Sequence, residues 1–128
     1  MNVEAMMDLI AQFRIAYGQA DRDGLHRVIT LDFEWHQHVG DATSSNPTGR
    51  VVKGIDGLMQ ELAWRKENWT NVVYRDLVER PAGDVILQMF TVSGTDETGR
   101  DFHVNAVDIY PVRDGRIYRK DTYWKNLT

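Results

Sequence analysis

At 128 residues, 42% hydrophobic and 27% charged, the chain is long enough for one real hydrophobic core, and its composition excludes wholesale disorder. Nineteen acidic against fifteen basic residues give a formal charge of −4, which argues against nucleic acid as a partner, because phosphate binding draws on a basic surplus. The absence of cysteine excludes disulfides, thiol nucleophiles, thiolate metal sites and iron–sulfur clusters.

The opening Met1-Asn2-Val3-Glu4 has neither a basic start nor a sustained apolar stretch, and no run approaches the roughly 20 apolar residues that span a bilayer. A cytoplasmic protein without a membrane partner is the expectation, read as one domain over residues 1–128 with no linker or repeat.

From Val3 to Ala20, apolar residues recur at Met6, Ile10, Phe13 and Tyr17, the spacing of a helix with one buried stripe. A second short helix starts near Asp21 or Asp23, either of which caps an N-terminus, and runs through Leu25, Val28 and Ile29. Leu31 to His38 then alternates: Leu31, Phe33 and Trp35 point one way, and Asp32, Glu34 and His36 the other. Val39 to Arg50 is rich in Gly, Asp, Ser, Asn, Thr and Pro and reads as a loop. A third helix is expected over residues 55–67, with Ile55, Leu58, Met59 and Leu62 on its inner face.

Everything after Trp69 reads as strand: residues 71–79, 84–93, 100–112 and 116–125. The turns fall at Pro81-Ala82-Gly83, Thr95 to Gly99, and Arg113-Asp114-Gly115. The Asp-Gly pair is the strongest hairpin signal in the chain. Helices first and closely spaced strands after predict an α+β fold with an antiparallel meander.

Three segments carry a family resemblance. Trp35-His36-Gln37-His38-Val39-Gly40 ends the first strand; Gly99-Arg100-Asp101-Phe102-His103-Val104-Asn105-Ala106-Val107-Asp108 forms a later one; and Asp114-Gly115-Arg116-Ile117 turns into the last. In this order they resemble the nuclear-transport-factor-2-like superfamily, in particular its SnoaL-like polyketide cyclases and ketosteroid isomerases. The resemblance implies a cone-shaped, curled antiparallel sheet wrapped around N-terminal helices, with a pocket inside for a small apolar or aromatic molecule. It also implies a homodimer.

Within that resemblance Asp108 matches the active-site aspartate of ketosteroid isomerases. Its neighbours Val104, Ala106, Val107 and Ile109 are apolar, and a carboxyl group desolvated among them would take up a proton and donate a hydrogen bond to an oxyanion. The family's general base is replaced by Gln37 and its oxyanion tyrosine by Phe13, with Tyr17 one turn further on as a substitute donor. Steroid-type isomerisation is therefore not expected. Ala106 stands where epoxide hydrolases of the fold carry an arginine, which counts against that chemistry.

The carboxylate of the family's last strand aligns with Thr122, next to Asp121, so a one-residue slip decides whether Asp121 enters the pocket as a partner for Asp108. His36 and His38 would hold a metal if a third ligand joined them. None stands nearby in sequence and alternation turns both outward, so no metal and no cofactor are expected. His103 is placed on the strand face opposite Asp108.

The expected catalytic set is Asp108 with Tyr17 or Asp121, and the expected ligand contacts are Gln37, Trp35, Phe13, Met59, Ala106 and Trp124. The Asp41–Arg50 loop is a candidate lid. The leading function is cofactor-independent proton transfer on a ring-containing substrate: isomerisation, cyclisation or dehydration. The alternative is a non-catalytic ligand-binding or protein-interaction module of the same fold, signalled by the loss of the base at position 37. A metal-dependent hydrolase is the third reading, decided by metal content.

Overall fold

The computed structural model describes residues 1–39 and 49–127. Helix α1 spans Val3–Gly18 and starts at Asn2, whose side chain accepts a 2.8 Å hydrogen bond from the Ala5 N–H. The satisfied N-terminal donor and the stripe of Met6, Leu9, Ile10, Phe13 and Ala16 fix its inner face. Helix α2, Arg22–Val28, is capped by Asp21 onto the Gly24 N–H at 3.2 Å. Of the two aspartates able to cap, Asp21 is the one used. No described helix is long and apolar enough to cross a membrane.

Strand β1 runs Ile29–His38, β2 Arg50–Lys53, and helix α3 Gly54–Asn68. Strands β3 Thr70–Ala82, β4 Val85–Thr95, β5 Asp101–Arg113 and β6 Arg116–Asn126 complete the chain. The six strands form one sheet in the order β2-β1-β6-β5-β4-β3. β3 to β6 are the expected antiparallel meander, and β5 turns into β6 through Asp114 and Gly115, at φ 53° and 76°. Positive φ at both central residues is the signature of the tight hairpin that the Asp-Gly pair predicts.

Two features were not expected. β2 is a four-residue strand paired antiparallel to β1, where no strand was assigned. β1 pairs with β6 in parallel, which joins the two halves of the chain and sets the floor of the cone. That pairing slips between Ile29 and Glu34, and the irregularity corrects one detail of the alternation: Leu31 is 85% exposed, while Phe33 and Trp35 are buried.

The sheet curls without closing. β3 carries an extra residue in each of two stretches, Thr70–Val73 and Arg75–Val78, where Asn71 and Asp76 adopt φ 55° and 58°. Bulges of this kind bend a strand and increase its twist. α1 crosses β3, and α3 packs on β1 and β2, so the helices cover the concave side. Between them lies the core of Ile10, Phe13, Leu25, Trp35, Leu58 and Ile117, all essentially out of solvent. Each such side chain contributes about 1.5–3 kcal/mol by burial.

Candidate functional site

A cavity of about 620 Å³ opens on the concave side of the sheet, with Phe13 and Tyr17 of α1, Trp35 of β1, Phe90 of β4 and Trp124 of β6 among its walls. The polar groups at its base come from β4, β5 and β6. The register sets Asp108 opposite Gln88 on one side and opposite Thr122 on the other, and residues paired across neighbouring strands point to the same face. Two residues along, Tyr110 and Lys120 follow onto that face.

Lys120 Nζ donates to Asp108 Oδ2 at 2.7 Å and to the Tyr110 hydroxyl at 2.7 Å. Thr122 donates its hydroxyl to Asp108 Oδ1 at 2.6 Å and accepts from Trp35 Nε1 at 2.8 Å. The Tyr110 hydroxyl also stands 3.0 Å from Gln88 Oε1 and 3.2 Å from Asp108 Oδ2, two acceptors sharing one proton. Gln88 Nε2 donates in turn to Glu79 Oε2 at 2.8 Å, and Arg14 pairs with the other oxygen of Glu79. A single buried network thus runs from Trp35 to the α1 surface.

This arrangement corrects the expected surroundings of Asp108. Apolar neighbours in sequence suggested an isolated carboxyl group that would donate a proton. In the fold, every polar contact made by its oxygens is with a donor, which is the environment of an acceptor. Arg113, on the same strand, bonds Asp32 at 2.6 Å.

The ammonium of Lys120 is enclosed by the rings of Tyr17, Tyr110 and Trp35, with centroids 4.8, 5.0 and 5.2 Å away. Burial pushes the Lys120 amine below the usual lysine range, against the opposing pull of Asp108. Burial likewise raises the Tyr17 hydroxyl to about 12 and holds Tyr110 well above the ordinary tyrosine value. Among the described residues Lys120 has two of its three donors engaged, and the third is left for the cavity it lines.

Of the expected site residues, Asp108, Tyr17, Trp35, Phe13 and Trp124 line this cavity. Ala106 is buried in β5 and Met59 packs against the core; neither is part of the wall. The register places Thr122 in the cavity and Asp121 on the other face of β6, where Asp121 meets Arg119 at 2.8 Å. His36 and His38 lie on that outer face too, as alternation requires, and His103 is exposed opposite Asp108. The candidate lid falls almost wholly outside the described residues.

Gln37 lines a neighbouring depression of about 750 Å³ and belongs to a second polar cluster. It donates to Glu61 Oε2 at 3.2 Å and accepts from Arg50 Nη1 at 3.0 Å, while Glu61 also binds Arg50 at 2.8 Å and Arg65 at 3.0 Å. The Arg65 guanidinium lies 4.5 Å from the ring centroids of both Trp35 and Trp69, and with Trp69 and Trp124 it forms the partition shared by the two depressions.

Lys120 and Glu61 were missed from sequence. A signal for Lys120 existed: once Thr122 faces inward, the strand period of two carries Lys120 inward with it. Glu61 had a weaker one, lying three residues after Leu58 on the same helix face.

A curled sheet cradling helices over an apolar pocket, with polar groups gathered at its base, defines the nuclear-transport-factor-2-like class of α+β proteins. The family profile described as SnoaL-like domain matches residues 4–120, and the chain belongs to that family. A comparison with curated proteins finds no match. Among solved structures, an NTF2-like protein from Burkholderia xenovorans superposes with a TM-score of 0.83 at 20% identity, covering 98% of this chain and 92% of the other. A candidate polyketide cyclase from Xanthomonas campestris gives 0.75 at 18% identity, covering 98% and 93%. A protein from Catenulispora acidiphila with a ketosteroid isomerase-like fold, in complex with trimethylamine, gives 0.68 at 16% identity, covering 90% and 83%. At these identities the likeness is one of fold.

Proposed function

We propose that this protein binds a small, largely apolar ring compound bearing an oxygen acceptor and moves a proton on it without a cofactor, in isomerisation, cyclisation or dehydration. The observation that carries the reading is the buried Asp108–Lys120 pair at the base of an aromatic-walled cavity. A carbonyl oxygen entering the cavity meets the remaining Lys120 N–H and the Tyr17 hydroxyl, both suited to steady a developing oxyanion. Among the described residues Asp108 is the single carboxylate in the wall, and it takes the proton, with Thr122 and Tyr110 orienting it. The preference for a neutral or anionic ligand follows from the cations already stacked on the aromatic walls, Lys120 and Arg65. An amine such as the trimethylamine of the Catenulispora neighbour would compete with them.

The test uses 1-tetralone, an enolisable aromatic ketone, in deuterium oxide. Proton NMR is expected to show α-hydrogen exchange above the buffer rate, reduced at least about a hundredfold in folded Asp108→Asn and Lys120→Met variants. A ketone that quenches tryptophan fluorescence yet exchanges at the buffer rate would favour the second reading, a non-catalytic binding module. That reading has its own support, since both oxygens of Asp108 are already engaged.

A homodimer is proposed on the outer sheet face. Tyr123, Val107 and Met89 are paired across β6, β5 and β4, and each is more than a third exposed, forming an apolar row that a second copy would cover. Light scattering on the purified chain decides it, with a mass of twice 14.8 kDa expected.

A further inference from the structure

The same outer face carries a cluster that the cavity chemistry does not use. Because β1 and β6 run parallel with His36 paired to Asp121 and His38 to Tyr123, two histidines and a carboxylate from distant parts of the chain meet on one side of the sheet. Their donor atoms all lie within 4.8 Å of one another. We propose that His36, His38 and Asp121 form a binding site for a divalent transition metal of the zinc type, with at least one coordination position open to water.

Hydrogen bonding prepares the ligands. His36 Nε2 stands 3.0 Å from Glu34 Oε1, and a carboxylate oxygen only accepts, so the ring proton resides on Nε2. The other ring nitrogen, Nδ1, faces Asp121 Oδ1 3.8 Å away. An ion placed between them would take both as ligands. Donors bound about 2.1 Å from a tetrahedral ion stand about 3.4 Å apart, so side-chain rotations that bring the three atoms, now within 4.8 Å, about 1 Å closer would complete the geometry. A carboxylate on the far nitrogen of a ligating histidine is the usual means of fixing its orientation.

Among the described residues, other groups hold the ligands in place. Arg119 holds Asp121 Oδ2 at 2.8 Å, which leaves Oδ1 as a monodentate ligand. Tyr123 stacks on the His38 ring, at 4.4 Å between centroids and 5° between planes, and limits its rotation. Around the cluster, Glu34 and Asp121 are set against Arg119 and, on β2 across from Glu34, Lys53. Two imidazoles with one carboxylate select zinc, cobalt or nickel over calcium or magnesium, which require oxygen ligands.

The test is calorimetric titration of zinc chloride into the EDTA-treated, dialysed full chain, with parallel titrations of magnesium and calcium chloride. One zinc per chain is expected, with no magnesium or calcium binding. His36→Gln, His38→Gln and Asp121→Asn should each weaken zinc at least tenfold, and Glu34→Gln by about 10–100-fold through loss of the orienting carboxylate. His26→Gln and His103→Gln should leave it unchanged. Circular dichroism establishes that each variant is folded, and cobalt substitution should give the intense visible absorption of a four-coordinate site. The assignment is overturned by absence of zinc binding to the folded chain, by undiminished binding in His36→Gln, or by half an equivalent of zinc bound per chain, which would place the metal between two chains.

Discussion

Lys120 Nζ and Asp108 Oδ2 stand 2.7 Å apart, in side chains only 5% and 1% exposed. Removing two charges from water costs several kcal/mol per ion, and direct attraction repays that only when the remaining donors and acceptors are satisfied as well. Tyr110 and Thr122, held in turn by Gln88 and Trp35, supply most of that satisfaction here, and the third Lys120 N–H is left for the cavity. The pair is a costly device at the base of a cavity, and its energetic signature is distinctive.

Removing one partner strands the other. Asp108→Asn and Lys120→Met should each destabilise the fold by about 3–5 kcal/mol, while the double variant should lose much less than the sum. Urea unfolding of the four proteins measures the coupling. Additive losses would show that the two groups do not depend on one another.

Alkaline stability should pass through a maximum. Lys120 is held below its ordinary 10.5, so between its folded value and 10.5 the unfolded chain binds more protons and stability rises with pH. Tyr17 is raised from 10.0 to about 12, so across that interval the folded chain holds more protons and stability falls. Tyr110 acts in the same sense as Tyr17. Unfolding free energies measured from about pH 8 to 12 should show the rise vanish in Lys120→Met and the fall become shallower in Tyr17→Phe.

On the acid side the relevant group is Glu61. Burial pushes its carboxyl up, but the Arg50 hydrogen bond, the Arg65 charge and the Gln37 amide outweigh it, and the net position is below the ordinary 4.5. A depressed carboxylate contributes stability above 4.5 that disappears as pH falls through the folded value. The melting temperature of Glu61→Gln should therefore lie below that of wild type at neutral pH and converge with it once pH has fallen below the folded value. An equal gap at both pH values would contradict the assignment.

Local chemistry was legible in the sequence wherever a short period or a single residue governs it. The apolar spacing of α1, the Asp21 cap and the Asp114–Gly115 hairpin follow from helix periodicity, an N-terminal acceptor and two positive φ angles. The inward side of Trp35 and Phe33 follows from alternation, and that of Asp108 from the family resemblance. β2 was not legible, because four residues with two valines show no period. Leu31 misled because the slip after Ile29 lies in the pairing with β6 and leaves no mark on β1 itself.

What the sequence by itself determined is the α+β order of elements and the family. The tertiary structure alone decided which groups meet. Lysine and glutamate are placed outside by default, and only the enclosing partners show why Lys120 and Glu61 are not. Asp121 lies beside His36, and Thr122 rather than Asp121 beside Asp108, because of the register of β6 against β1 and β5. A slip of one residue in that register would exchange the two faces, and pairing between distant strands is fixed by the packing of the whole sheet rather than by either strand's own pattern.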